Sequence, residues 1–166
     1  MKRLFYLAML GLLAVAAANT GAMAQAAKGP AATAGCAESE FLPNQIRCFL
    51  DAAETAGDVG LCEGAYDFAV RFNCVSLFAE HSGDPLSCER IPIRNNRLLL
   101  FRDSCISGVA AATRMPQLCD QVQLDVIRDA CFLTQVVEYS ATPDLCERIT
   151  RAAVRLICSK PLADPK

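Results

Sequence analysis

The sequence predicts an all-α protein, an array of about five short helical-hairpin repeats stapled by disulfides. Three observations lead to this fold class: ten cysteines at regular intervals, repeated residues around those cysteines, and apolar residues at helical spacing with few strand-like alternations. The length of 166 residues suits one ordinary domain and is short for a second one.

The ten cysteines form five consecutive pairs, which define units one to five. Four pairs are separated by 12 residues and the third by 17, because unit three carries five extra residues between positions 91 and 101. Such repetition is typical of arrays in which each unit completes its core against its neighbours. In chain order the pairs are Cys36 and Cys48, Cys62 and Cys74, Cys88 and Cys105, Cys119 and Cys131, and Cys146 and Cys158.

Each unit is predicted to hold a short helix A, which begins at the first cysteine, and a helix B, which carries the second. Residues that favour a helix start precede helix A, since a capping side chain accepts hydrogen bonds from early N–H groups and proline needs no partner there. Proline lies three places before the first cysteine at Pro85, Pro116 and Pro143, and a capping residue lies four places before it at Asp58, Asp84 and Thr142.

Helix B is indicated by apolar residues of unit two that recur at steps of three and four, which places them on one helical face. Gly57 and Gly83 each lie nine places after a second cysteine, where a helix commonly ends in a left-handed glycine. The apolar residues of this face are Phe68, Phe72, Val75 and Phe78.

The disulfide connectivity is open to two interpretations. Twelve residues of unbroken helix would hold two α-carbons roughly 18 Å apart, so pairing within a unit requires a turn between helices A and B. Pairing between neighbouring units is the alternative, and it would leave Cys36 and Cys158 unpaired. We favour pairing within units, because it uses every cysteine and because a loop between paired helices absorbs the insertion of unit three.

A pattern of charges accompanies the cysteines. An acid follows the first cysteine in four units, and an arginine stands three places before the second cysteine in four units. We interpret these residues as structural ion pairs within each unit, and an anion-binding stripe of arginines is the alternative. The predicted pairs are Arg71 with Glu63, Arg102 with Glu89, Arg128 with Asp120, and Arg155 with Glu147.

The N-terminus predicts export. Lys2 and Arg3 precede an apolar run at residues 4–18 and an Ala-x-Ala cleavage site at residues 22–24, so residues 1–24 are predicted to be a signal peptide. An uncleaved membrane anchor is the alternative. Residues 25–35 are predicted to be a flexible linker, residues 36–160 the repeat domain and residues 161–166 a tail. The predicted location is periplasmic or extracellular, where thiols pair, with no membrane span after signal removal.

Composition and motifs argue against several classes of protein. A formal net charge of −2 argues against a nucleic-acid binder. One histidine excludes multi-histidine metal sites, and the lack of C-x-x-C disfavours thioredoxin-like redox sites and structural zinc sites. No G-x-S-x-G, Walker or dinucleotide-binding motif occurs. We therefore expect no catalytic residues, no metal and no cofactor.

The general pattern, exported helical pairs with one disulfide each, resembles cysteine-rich Sel1-like repeat proteins and twin-cysteine helical hairpins. Sel1-like units are longer and twin-cysteine hairpins space their cysteines more tightly, so no functional residue is carried over from either. The predicted function is a non-enzymatic protein-interaction or structural module whose partner is another envelope or secreted protein. The alternatives are a thiol-based metal-binding or redox protein of the cell envelope, and a hydrolase or other enzyme with an unrecognised site.

Overall fold

The computed structural model describes residues 30–139 and 141–160, and every regular element in these ranges is helical. This confirms the all-α fold class for the described part of the chain. The predicted signal peptide and the predicted tail at residues 161–166 lie outside the described residues. No helix in the described ranges has the length and apolar character needed to cross a membrane.

Five α-helices alternate with short 3-10 helices. Each α-helix carries the second cysteine of its unit, and the 3-10 helix before it carries the first. The α-helices are α1 (Leu42–Ala56), α2 (Phe68–Ser82), α3 (Asn96–Thr113), α4 (Asp125–Tyr139) and α5 (Ala152–Cys158). The 3-10 helices of units one to five are Cys36–Glu38, Val59–Gly64, Pro85–Arg90, Pro116–Gln121 and Pro143–Arg148, and a further one, Pro30–Thr33, precedes them.

Helix A is thus a 3-10 helix, and in units two to five it begins three residues before the first cysteine rather than at it. Its short length agrees with the poorer hydrogen-bond geometry of 3-10 helices. Asp58 and Asp84 cap it as predicted, because their carboxylates accept hydrogen bonds from the N–H groups of Gly60 and Leu86. Thr142 occupies the predicted N-cap position but makes no side-chain capping hydrogen bond.

The α-helices stack side by side and run in the same direction. Gln135 in the second half of α4 donates from Nε2 to the carbonyl oxygen of Ala110, in the second half of α3, at 2.8 Å. Near the ends of α2 and α1, His81 Nδ1 lies 2.5 Å from Glu54 Oε1. One cluster of buried apolar residues and half-cystines continues through all five units, so neighbouring units share a core.

The predicted disulfide pairing within units is confirmed. Five disulfides join the 3-10 helix of each unit to its α-helix, with α-carbons 5.4 to 5.8 Å apart. The turn between the two helices brings the paired cysteines together, and no cysteine is left for pairing between units. Cys48 is partly buried and the other nine half-cystines are buried, so the disulfides form part of the core.

Part of the predicted linker is ordered. Pro30–Thr33 forms a 3-10 helix, and Ala32 packs against the core. The array therefore includes ordered residues before Cys36, where the domain was predicted to begin. The predicted linker residues 25–29 lie outside the described residues.

Three α-helices end in a residue of left-handed conformation, nine places after the second cysteine. Gly57 and Gly83 have φ angles of 62° and 68°, which confirms the predicted caps. Arg114 takes the same position after α3 with a φ of 56°. A Cβ makes this conformation unfavourable by about 1 kcal/mol. The guanidinium carbon of Arg114 lies 5.6 Å from the centre of the Tyr139 ring.

We expect Arg114→Gly to be more stable than Arg114→Ala by about 1 kcal/mol in the free energy of unfolding. Both variants lose the side chain beside Tyr139, so the comparison isolates the left-handed backbone. Gly57→Ala is the reciprocal control and should cost a similar amount, because a Cβ there would meet no atom within 4 Å. Urea denaturation followed by far-UV circular dichroism measures all three, and equal stability of the two position-114 variants would contradict the prediction.

Candidate functional site

Two buried aspartates join neighbouring units. Asp129 in α4 is 0% exposed and accepts hydrogen bonds from the N–H groups of Thr150 and Arg151, from the Thr150 hydroxyl and from the Arg151 guanidinium. Asp103 in α3 is 1% exposed and accepts from two backbone N–H groups just before α4. Each carboxylate therefore holds the start of the α-helix in the next unit.

Burial and hydrogen bonding act in opposite directions on Asp129. Burial disfavours the charged carboxylate, but the hydrogen bonds from Thr150 and Arg151 outweigh this effect and hold the pKa of Asp129 below its usual value of 3.8. Asp129 is therefore a carboxylate at neutral pH, with its charge balanced by donors of the following unit.

The arginines of units two and five bridge the turn within their own unit, with a different partner from the one predicted. Arg71 donates from Nε and Nη2 to the carbonyl oxygen of Ala65 at 3.1 and 2.7 Å. Arg155 donates from Nε to the carbonyl oxygen of Ile149 at 2.8 Å. Both carbonyls follow the end of a 3-10 helix, where backbone acceptors lack a helical partner. The predicted pairs with Glu63 and Glu147 are therefore wrong.

The arginines of units three and four also depart from the prediction. Arg128 Nη2 lies 2.5 Å from Asp125 Oδ1 within α4. Arg102 Nε is buried without a hydrogen-bond partner in the described part of the chain. Glu89 and Glu147 form no ion pair with any described residue. The predicted pairs of Arg102 with Glu89 and of Arg128 with Asp120 are corrected accordingly.

Two of the acids pair with the next unit instead of their own. Arg90 Nη1 lies 2.9 Å from Glu63 Oε1, and Arg148 pairs with Asp120. Both arginines stand two places after the first cysteine of the following unit, so these pairs run between successive 3-10 helices. The four side chains are roughly half exposed, and such pairs typically contribute about 1 kcal/mol or less.

Sequence reasoning assigned no role to the buried aspartates, although an Arg-Asp-x-Cys pattern recurs at residues 102–105 and 128–131. A Cys-Glu-Arg pattern likewise recurs at residues 88–90 and 146–148 and contains the arginines that pair with the preceding unit. Each repeated pattern accompanies a contact that recurs between neighbouring units: the buried aspartate with the next helix start, and the arginine with an acid of the preceding unit. The stacking of the units decides which neighbour each side chain faces.

Several large apolar side chains remain exposed where α2 and α3 begin. Tyr66 is 98% exposed, and Ile93, Leu100 and Phe68 are 45%, 44% and 37% exposed. The guanidinium carbon of Arg97 lies 4.2 Å from the centre of the Phe68 ring. We name this region the aromatic–arginine surface and define it by Tyr66, Phe68, Ile93, Arg94, Arg97 and Leu100.

Helix caps and ring contacts hold the aromatic–arginine surface in place. Asp67 Oδ1 accepts from two N–H groups in the first turn of α2, and Asn95 Oδ1 accepts from one in the first turn of α3. The Phe68 ring packs edge-on against Phe101 with 6.2 Å between centroids, and it lies 6.4 Å from the ring of Phe72. Phe68 is therefore an outer member of a packed aromatic cluster and remains partly exposed, although it contacts Phe72 of the same helical face.

A half-buried carboxyl lies at the interface of α2 and α3. Glu80 sits over Gly108, where an added Cβ would clash with its carboxyl group. Burial raises the pKa of Glu80, and the neighbouring His81 opposes this effect less strongly. Glu80 forms no ion pair with the described residues, so its partial desolvation is only partly offset by His81.

In the wild type, ionisation of the partly buried Glu80 lowers the free energy of unfolding as pH rises, and we expect Glu80→Gln to abolish this contribution. Because the folded-state pKa is raised, the free energy of unfolding falls as pH increases from below the ordinary value of 4.5 through the raised pKa. The stability of the glutamine variant relative to wild type should therefore increase over that range. Urea denaturation across a pH series measures this, with the exposed Glu89→Gln as control, and parallel curves for wild type and Glu80→Gln would refute it.

The described part of the chain was searched for side chains that could bind a metal ion or react as free thiols. These residues contain no group of three or more His, Cys, Asp or Glu side chains that could hold a metal ion. All ten cysteines lie in disulfides, and His81 contacts Glu54. Comparison with protein-family models, with curated proteins and with solved structures found no match to this chain.

Proposed function

We propose that this chain is an exported, non-enzymatic module that binds another protein of the cell envelope or the extracellular space. The five disulfides suggest an oxidising environment, periplasmic or extracellular. The cysteine-rich helical fold is compatible with an extracellular structural module. The finer assignment, binding of a protein partner, rests on the exposed side chains of units two and three.

The aromatic–arginine surface is the observation that carries this proposal. Tyrosine, phenylalanine and arginine are enriched in protein interfaces, and tyrosine and arginine are frequent among the residues that dominate the binding energy. The disulfides of units two and three and the aromatic cluster restrain this surface in the unbound protein. Binding should therefore cost little conformational entropy.

The state of the cysteines bears on the thiol-based alternative. Metal binding and thiol redox chemistry need thiolates. All ten cysteines are paired, and nine of the half-cystines are buried. These sulfurs support a scaffold role better than a reactive one.

Site-specific photo-crosslinking in the native cell tests the proposal. A photoreactive benzoylphenylalanine in place of Tyr66 should form a covalent adduct with a protein partner. The same substitution at Glu138, which is exposed near the end of α4, is the matched control and should form none. An exported protein that forms no adduct at position 66, or equal adducts at both positions, would contradict the proposal.

Alkylation followed by intact-mass measurement separates the module from the thiol-based alternative. We expect no alkyl groups on the exported protein without reductant and ten after reduction and unfolding, one for each cysteine. Alkylation of the native protein without reductant, or a bound metal in the native mass, would favour the alternative.

A further inference from the structure

We propose that the aromatic–arginine surface binds an acidic segment of a partner protein. Its carboxylates would contact Arg94 and Arg97, and its aliphatic side chains would pack on Phe68 and Leu100. This inference rests on the proposed function and adds the chemical character of the partner.

The apolar part of the surface is suited to aliphatic side chains. Phe68 is 37% exposed, and its ring packs against Phe101 and against Phe72, which is 6% exposed. Leu100 lies one helical turn after Arg97 on α3, and the two residues share a face. A partner side chain that covers Phe68 and Leu100 removes apolar area from water without a rearrangement of the cluster.

The charged part of the surface selects for carboxylates. Arg94 and Arg97 are exposed and form no ion pair with the described residues. Among the acids of units two and three, Asp67 caps α2 and Glu63 pairs with Arg90, while Glu89 is exposed and pairs with neither Arg94 nor Arg97. The two arginines therefore remain available as donors.

The position of Arg97 makes it a suitable carboxylate ligand. Its guanidinium carbon lies 4.2 Å from the centre of the Phe68 ring. A guanidinium that stacks on an aromatic ring keeps the edge of its fork free for bidentate hydrogen bonds to a carboxylate. Stacking also restricts the side chain before binding, which lowers the entropy lost in the complex.

The insertion of unit three supplies part of this surface. The five extra residues lie between positions 91 and 101, the stretch that contains Ile93, Arg94 and Arg97. In repeat proteins, insertions within single repeats fall in loops on one face, often the binding face. The fully exposed Tyr66 lies in the corresponding connection of unit two, beside Phe68. The five-residue insertion of unit three therefore lies in the same stretch of chain as the exposed Ile93, Arg94 and Arg97.

Selection from a random dodecapeptide library displayed on phage tests the partner chemistry, with the full oxidised protein as target. We expect enriched peptides to combine two or more Asp or Glu residues with Leu or Ile. Fluorescence anisotropy of synthetic copies then measures Kd. The double variant Arg94→Glu/Arg97→Glu and the single variant Tyr66→Ser should each bind at least about tenfold more weakly. Arg47→Glu, at an exposed arginine of α1 without an ion pair in the described chain, should bind as wild type does.

Three results would overturn the inference: no enrichment, enriched peptides that are neutral or basic, or a Kd that the double charge reversal leaves unchanged. Circular dichroism of each variant shows whether it is folded. The substituted side chains are exposed, so we expect every variant to fold. A protein adduct at position 66 with a partner that lacks acidic segments would overturn the acidic chemistry and leave the proposed function standing. Absence of any adduct would contradict the proposed function itself.

Discussion

Reduction of all five disulfides is expected to unfold this chain at neutral pH. Each disulfide joins cysteines 12 or 17 positions apart, and closing a loop of that size contributes about 3 kcal/mol in the chain-entropy model. Five such contributions approach about 15 kcal/mol, the upper end of the total stability of a typical domain. Each unit is a short 3-10 helix and one α-helix, which buries too little area to remain paired without its staple.

Far-UV circular dichroism and urea denaturation of the reduced and alkylated protein measure this effect. The helical signal should fall strongly and the cooperative urea transition should disappear. Protein that is reduced, then reoxidised without alkylation, is the control and should regain both. A reduced and alkylated chain that keeps its helical signal and unfolds cooperatively would show that packing alone holds the array together.

Asp129→Ala is expected to lower the free energy of unfolding by about 2–3 kcal/mol, because it removes the acceptor of several hydrogen bonds and leaves no charge fully buried, since the Arg151 side chain is 45% exposed. The substitution leaves the N–H groups of Thr150 and Arg151 without their acceptor at the start of α5. Asp125→Ala is the matched control in the same helix, because Asp125 is exposed and its ion-pair partner is the guanidinium of Arg128. This substitution should lower the free energy of unfolding by about 1 kcal/mol or less. Urea denaturation at neutral pH measures both, and equal losses would contradict the role of Asp129.

The pH dependence gives a second readout of the same residue. Because hydrogen bonds hold the pKa of Asp129 below 3.8, its contribution to stability is present above that value and is lost as pH falls through the folded-state pKa. The stability difference between wild type and Asp129→Asn should therefore be constant near neutral pH and shrink on acidification below about pH 4. A difference that does not depend on pH would show that ionisation of Asp129 is not what stabilises the junction.

The sequence predicted the elements whose causes are local. Pairing within units was favoured because it uses every cysteine and because a loop between paired helices absorbs the insertion of unit three, and the structure confirms it. Gly57 and Gly83 marked helix ends because their left-handed backbone depends on the residue itself. Arg114 escaped the same prediction because arginine rarely takes that conformation, although it lies at the equivalent position.

Helix A illustrates a local prediction that was partly right. In units two to five, the prolines and aspartates before the first cysteine correctly indicated a helix start. They did not distinguish a 3-10 helix from an α-helix, because both leave their first N–H groups without partners. In units two to five the structure forms a 3-10 helix of six residues there.

The candidate surface was not predicted from the sequence. The spacing of Phe68 placed it on one face of its helix without indicating its exposure, and the insertion of unit three was noticed without its exposed side chains. Phe68 lies in the first turn of α2. Phe101 packs against its ring and Arg97 lies over it, and the residue remains 37% exposed. Periodicity along one helix reports which residues share a face and does not report how far the neighbouring helix extends over that face.

By itself, the sequence determined the helical units and four of their caps, at Asp58, Asp84, Gly57 and Gly83, and it favoured disulfides within units, because each of these features depends on residues close in the chain. Only the tertiary structure decided the partners of the charged side chains. Glu63 and Asp120 each had an arginine within their own unit, yet they pair with Arg90 and Arg148 of the next one, 27 and 28 residues along the chain. The physical reason is the stacking of parallel units, which places successive 3-10 helices side by side, while Arg71 donates to a backbone carbonyl and Arg128 pairs with Asp125.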